Sequence, residues 1–183
     1  RNLSGIRSQV HRLTGTVRQL LDYCRPAAIQ PRRLTPSVLI ADVLAAIAPE
    51  LEAKGCRLTT QLPLGLPSFL ADAGRIELAL LNLLRNALQA AESRVDLWAA
   101  ANRHWLIIRI SDDGAGLPED SSLATLTRPF FTTKSPGEGT GLGLAIVQAV
   151  AEEQGGYFTL SNGVRGGCEA YLALSLMAPK EEA

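Results

Sequence analysis

Residues 138–146 read EGTGLGLAI. Three glycines at alternate positions, Gly139, Gly141 and Gly143, run directly into an apolar segment with the period of a helix. Glycine lets backbone approach a ligand closely and permits positive φ. A helix that begins there presents unbonded N–H groups and the positive end of its dipole, which suits an anion such as phosphate. The same run also fits a flexible loop followed by a helix cap. Its neighbours in the chain must decide between the two.

The chain has 183 residues, 46% of them hydrophobic, enough for one core with a small appendage. Lys+Arg and Asp+Glu balance at 18 each, so no global basic field points to nucleic acid and no polybasic run points to a membrane surface. Pro or charged residues interrupt every apolar stretch before it reaches membrane-spanning length. The first residue is Arg1 and the first segment is not a signal peptide, so the expectation is a piece of a longer protein. Cys24, Cys56 and Cys168 lack metal-ligand spacing, and their odd number suggests reduced thiols in a cytoplasmic setting.

Leu3, Ile6, Val10, Leu13, Val17, Leu20 and Cys24 repeat at spacings of three and four. This predicts a helix with a narrow a/d seam that needs a partner helix, and the expectation is a dimeric helical bundle. An ordinary amphipathic helix lying on the downstream domain is the alternative. His11 flanks the seam and reads as solvated, and Pro26 stops the helix. The chain therefore divides into a helical segment, 1–27, and an α/β unit, 28–183.

Within the unit, 29–34 reads as an edge strand tolerant of Pro31. Thr35 precedes Pro36 at the first helical position. Val38, Leu39, Val43, Leu44, Ile47 and Leu51 mark a helical stripe, with Pro49 expected to kink or shorten it and Gly55 to end it. Residues 56–62 alternate like a strand, and 64–71 is broken by Pro and Gly. Asp72 is placed to cap a long helix over 73–91. Strands are predicted over 94–101 and 105–111, joined at Asn102-Arg103. Residues 113–140 show little periodicity, as functional loops do. A helix over 141–154 and a hairpin of 157–161 with 169–176 complete an α+β, two-layer sandwich.

Three further stretches carry chemistry. Asn82 and Asn86 lie four apart and share a helix face. Their amide oxygens suit Mg²⁺, which takes few protein ligands and several waters and phosphates; capping or inter-helix hydrogen bonds are the other use of such amides. Asp112-Asp113-Gly114-Ala115-Gly116 follows a strand. It places a carboxylate beside an approachable turn, able to accept from an amine such as that of adenine, or simply forming the turn. Pro129 to Lys134, PFFTTK, sets two aromatics beside hydroxyls and a cation. It reads as an anchored segment carrying Lys134 toward phosphates, or as a hydrophobic plug with a solvated Lys.

The Asn-rich helix, DxGxG, PFFTTK and GxGLGL, in that order, resemble the nucleotide-binding boxes of sensor histidine kinases, within the wider superfamily of gyrase and MutL ATPases. The resemblance covers about residues 34–176. The heptad segment ending LLDYCRP resembles the second helix of the dimerisation bundle in these kinases, and PFFTTK with the Arg-Pro ending is similar to the nitrogen-regulation and dicarboxylate-sensing subgroup.

The resemblance implies a Bergerat-type ATP-binding fold, with ATP and Mg²⁺ as ligands. It implies that Asn86 coordinates Mg²⁺ and Asn82 lines the phosphate region. It places Asp112 on the adenine amine, with Gly114 and Gly116 shaping that wall. Phe131, Thr132, Thr133 and Lys134 form the covering segment, with Lys134 toward the terminal phosphate. Gly139, Thr140, Gly141, Leu142 and Gly143 form the hinge and phosphate wall. Members often carry Gly-Thr where this chain has Gly167-Cys168, so the hydroxyl that supports the adenine-binding Asp is replaced by a thiol. Gln89 stands where many members carry a basic residue. ATP-hydrolysing members place a Glu where this chain has Asn82, a neutral amide that cannot take a proton from water, which argues for transfer to another nucleophile.

The family's acceptor histidine is followed by an acidic residue, whereas His11 is followed by Arg12-Leu13 and His104 by Trp105. The chain is therefore expected to bind ATP or ADP without phosphorylating itself. Its implied partners are the dimerisation helices, a second copy in the full-length homodimer, and a response-regulator receiver domain. The expected location is cytoplasmic, whether or not the full-length parent is membrane-anchored. A nucleotide-binding regulatory module without kinase activity is the alternative, and a gyrase-like ATPase is disfavoured by Asn82.

Overall fold

The computed structural model describes residues 30–177, apart from 120, 135–138 and 165. The predicted seam helix and the division of the chain at residue 27 lie outside the described residues.

A five-stranded mixed sheet forms the first layer. Its strands are β2 (Arg57–Gln61), β4 (Arg94–Ala101), β5 (Trp105–Asp112), β6 (Tyr157–Asn162) and β7 (Cys168–Ser175), in the order β2-β4-β5-β7-β6. β2 runs parallel to β4, and the other neighbours are antiparallel. Period-two alternation decides which face is covered. Val95, Leu97 and Ala99 of β4, Leu106, Ile108 and Ile110 of β5, and Ala170, Leu172 and Leu174 of β7 are buried.

The second layer holds α1 (Pro36–Lys54), α2 (Ala73–Ala90) and α4 (Gly143–Glu153), with a short turn of helix, α3 (Leu123–Leu126), in the loop between. α2 packs on β4 and β5, α4 on β6 and β7, and α1 flanks α2. Ile40, Ile47, Ile76, Leu80, Leu84 and Ile146 are fully buried between the layers. Truncating any one of them to Ala costs about 2–5 kcal/mol. The expected α+β, two-layer sandwich is what the chain forms.

Element boundaries follow local chemistry. Asp72 accepts the N–H of Arg75 and caps α2 as expected. Gly55, with φ 67°, ends α1 through N–H bonds to Glu52 and Leu51. Pro49 neither ends nor shortens α1: it is exposed, so water can serve the carbonyl it leaves unpaired. The first strand differs from expectation. β1 is only Arg32–Leu34, and it pairs with β3 (Phe69–Ala71) in a separate two-stranded sheet instead of edging the main one. α4 begins at Gly143, two residues later than expected, because Leu142 turns into the core first.

Candidate functional site

α2 brings Asn82 and Asn86 to one face, as their spacing requires. Asn82 is the one buried polar side chain among the described residues, 8% exposed. Its amide nitrogen donates to the Leu78 carbonyl at 2.8 Å, one turn back on the helix. Its oxygen faces the start of α4: a Cβ on Gly143 would lie 3.0 Å from Asn82 Oδ1 and 3.7 Å from Asn86 Nδ2. The first turn of α4 has no side-chain cap, so its N–H groups stand next to these two amides. Leu142 is fully buried and offers the site only backbone. Its N–H is held by Thr140 Oγ1 at 3.3 Å.

Beside the C-terminal end of α2, Asp112 closes β5, the middle strand of the sheet. Its Oδ1 accepts the N–H of Gly114 at 3.0 Å and of Cys168 at 3.3 Å. The family hydroxyl is thus replaced by a backbone donor as well as a thiol. Burial pushes the Asp112 carboxyl above the usual carboxylate range, the two N–H groups pull it back, and the neighbouring Asp113 charge adds to the rise. Burial also lifts the Cys168 thiol to about 12, with the charges of Asp112 and Glu169 adding to it. That sulfur is a neutral thiol and not a nucleophile. Gly167 (φ 74°) must be glycine, because a Cβ there would meet the Asp112 carbonyl at 1.8 Å.

The PFFTTK segment folds back onto the glycine run. Phe130 N–H donates to the Gly141 carbonyl at 3.0 Å. Phe130 is exposed and has φ 66°, a strained conformation for an aromatic residue. Phe131 is half-buried, while Thr132, Thr133 and Lys134 are exposed. Thr132 Oγ1 accepts the Lys134 N–H at 3.2 Å. Gly139 lies against both side chains: its Cβ would be 2.9 Å from Thr132 Oγ1 and 3.1 Å from Lys134 Cδ.

All four sequence-marked stretches therefore meet around one end of the helical layer. Gly114 sits against the end of α2, where a Cβ would meet the Ala90 carbonyl at 2.2 Å. Gly116 sits against Asn162 and Gly167.

Two fastening residues escape sequence reasoning. Asp113 accepts the backbone N–H groups of Glu92, Ser93 and Arg94 at 3.0–3.1 Å and the Ser93 hydroxyl at 2.6 Å. Those bonds hold its carboxyl far below the usual carboxylate range. Asn162 accepts the Leu117 N–H at 2.6 Å and donates to the Leu117 carbonyl at 3.3 Å. The Asp-Asp pair and the Asn-Gly hairpin turn were their only signals. A cavity elsewhere, against Gln61, Leu62, Pro63 and Trp98, shares no residue with this constellation.

This arrangement is a partly buried carboxylate at one end and a helix N-terminus with two amides at the other, built on a two-layer sandwich. It defines a nucleotide-binding ATPase-type domain. Residues 71–178 match the family model of the histidine kinase-, DNA gyrase B- and HSP90-like ATPases, and the chain belongs to that family.

Among curated relatives, it is 32% identical over 178 residues to the C4-dicarboxylate transport sensor protein DctB of Pseudomonas aeruginosa, covering 94% of this chain and 29% of DctB. It is 29% identical to the sensor histidine kinase CpxA of Escherichia coli, covering 96% of this chain and 40% of CpxA. The chain spans less than half the length of either relative. Among solved structures, full-length ShkA in complex with AMPPNP aligns over 97% of this chain and 39% of ShkA, with a TM-score of 0.83 and 25% identity.

Proposed function

We propose that this chain is the ATP-binding catalytic domain of a sensor histidine kinase, passing the terminal phosphate of ATP to a histidine that is neither His11 nor His104. The carrying observation is the junction of Asn82 and Asn86 with the uncapped N-terminus of α4 at Gly143. A phosphate chain laid there meets the backbone donors of α4 and the Asn86 amide nitrogen together. Asp112 stands at the other end to accept the adenine amine, and its raised carboxyl suits a site that a base fills in place of water.

The described residues hold no cluster of three or more His, Cys, Asp or Glu able to bind a metal. An Asn86 amide oxygen completed by phosphate oxygens and water fits Mg²⁺, which takes few protein ligands. The ion would supply charge neutralisation. Asn82, with its nitrogen committed to Leu78, offers no proton acceptor to activate water. The domain's part in the transfer is positioning and charge compensation.

The relatives extend the proposal. Residues 1–27 would form the second helix of a dimerisation bundle, the full-length protein would be a homodimer, and the phosphate would pass on to a response-regulator receiver domain. Similarity to DctB favours the dicarboxylate-sensing subgroup. Among the described residues no helix is long and apolar enough to cross a membrane.

Calorimetric titration with AMPPNP in Mg²⁺ should give one nucleotide per chain, and absence of binding would overturn the proposal. With γ-labelled ATP and a separate protein carrying an acceptor helix, label should appear on the acceptor and not on this chain. Nucleotide binding without any label transfer would identify a binding module instead.

A further inference from the structure

Lys134 follows the two aromatics of PFFTTK, and its ammonium donates to the side-chain carbonyl of Gln89, 45 residues away in sequence. Gln89 lies three residues beyond Asn86 on α2, so it is that residue's neighbour on the same helix face. The backbone of Lys134 is fixed by its N–H to Thr132 Oγ1 at 3.2 Å. Its aliphatic stem is bounded by Gly139, where even a methyl group would come within 3.1 Å of Cδ. Tip, stem and backbone together set one positive charge against α2, one turn past Asn86.

The other cations on or against this helix have partners of their own. Arg75 pairs with Glu153 of α4. Arg85 pairs with Glu50 of α1 at 2.9 Å. Lys54 donates to the carbonyls of Leu88, Gln89 and Ala91 at the helix end. A basic side chain at position 89 would repel Lys134, whereas the neutral amide accepts from it in a charge-assisted bond.

We propose that Gln89 is the positioning residue that seats Lys134 at the phosphate end of the site, and that this pair sets the preference for nucleoside triphosphate over diphosphate. The inference rests on the nucleotide reading above. A diphosphate engages Asn86 and the α4 N-terminus, but only a third phosphate extends toward the seated ammonium. The cation is carried by the PFFTTK segment, and the helix supplies its acceptor. Moving the cation onto the helix should therefore preserve the discrimination.

The test is the ratio of AMPPNP to ADP affinity, both with Mg²⁺, by calorimetry on the whole chain. Circular dichroism checks that each variant folds. Lys134→Gln should lower the ratio about tenfold, the scale of one lost charge-assisted contact. Gln89→Ala, which keeps the lysine and removes its seat, should lower it by about threefold or more. The double variant Gln89→Lys/Lys134→Gln should return to within about threefold of the parent. A Gln89→Ala ratio equal to the parent's would overturn the proposal, because Gln89 would then not be what seats the cation. A double variant no better than Lys134→Gln would overturn it as well. Failure of the parent chain to bind either nucleotide would sink the nucleotide reading itself, a result distinct from both.

Discussion

Burial raises the Asp112 carboxyl above the usual carboxylate range even though two backbone N–H groups bind it. Folding therefore favours the neutral acid at this position. The penalty on the ionised form is absent below the unfolded value near ~3.9 and complete above the raised folded value. Asp112→Asn removes the charge and keeps an acceptor oxygen. At pH 7 its melting midpoint should lie above that of the parent, and the gap should close as the pH falls below about 4. The same substitution should weaken adenine-nucleotide binding by about 10- to 100-fold, since a carboxylate acceptor is lost. Scanning calorimetry across pH together with titration checks both parts. A lower midpoint at pH 7 would show that the charge serves the fold and not the ligand. Asp113, the next residue, runs the opposite way. Its carboxyl is held far below the usual range by Ser93, Arg94 and Glu92. Its stabilising contribution is present above the unfolded value near ~3.9 and is lost as the pH falls through the depressed one. Asp113→Ala should lower the melting midpoint at pH 7, with the deficit narrowing in strong acid. A deficit independent of pH would refute the role of the charge.

At the scale of elements, α2 is fixed at both ends because it carries the two amides. Asp72 caps its start. At its end, Lys54 from the last turn of α1 donates to the carbonyls of Leu88 and Ala91, each at 2.5 Å. A cation on a helix C-terminus contributes about 1 kcal/mol. Lys54→Met should lower the midpoint by about 2–4 °C in thermal unfolding, and a shift near zero would show that water serves those carbonyls equally well. The start of α2 was legible because capping is local: Asp72 precedes a helical stripe. The Lys54 cap was not, because its acceptors lie 34–37 residues away and no period links them. The same distinction explains β1. A strand was legible over 29–34, but its pairing with Phe69–Ala71 depends on how α1 folds back, which pattern does not encode. Pro49 was legible as a helix disturbance. Its tolerance depends on an exposed position that only the packed structure supplies.

For the whole molecule, four stretches marked in the sequence come together in space. Asn86, Asp112, Lys134 and Gly143 are scattered through the chain, yet each sits in a short stretch whose residue types make sense mainly as ligand chemistry. Asp113 and Asn162 were not legible, because they fasten backbone across 19–45 residues of sequence. Assembly from distant pieces has a thermodynamic consequence. A nucleotide touching Asp112 and Gly143 would bridge the N-terminus of α4, the end of β5 and the Phe130–Lys134 segment. Binding to the folded chain alone stabilises it by about 2.7 kcal/mol at a hundredfold excess over Kd. For a domain of this size that corresponds to a rise in melting midpoint of about 5–10 °C. Hydrogen exchange should localise the effect, with slower exchange at amides 112–117, 130–134 and 139–146 on adding ADP and Mg²⁺. Exchange in β2, at the far edge of the sheet, should change little. A uniform slowing across all strands would mean that the ligand only shifts global unfolding. Unchanged exchange at 139–146 would place the nucleotide away from the glycine run altogether.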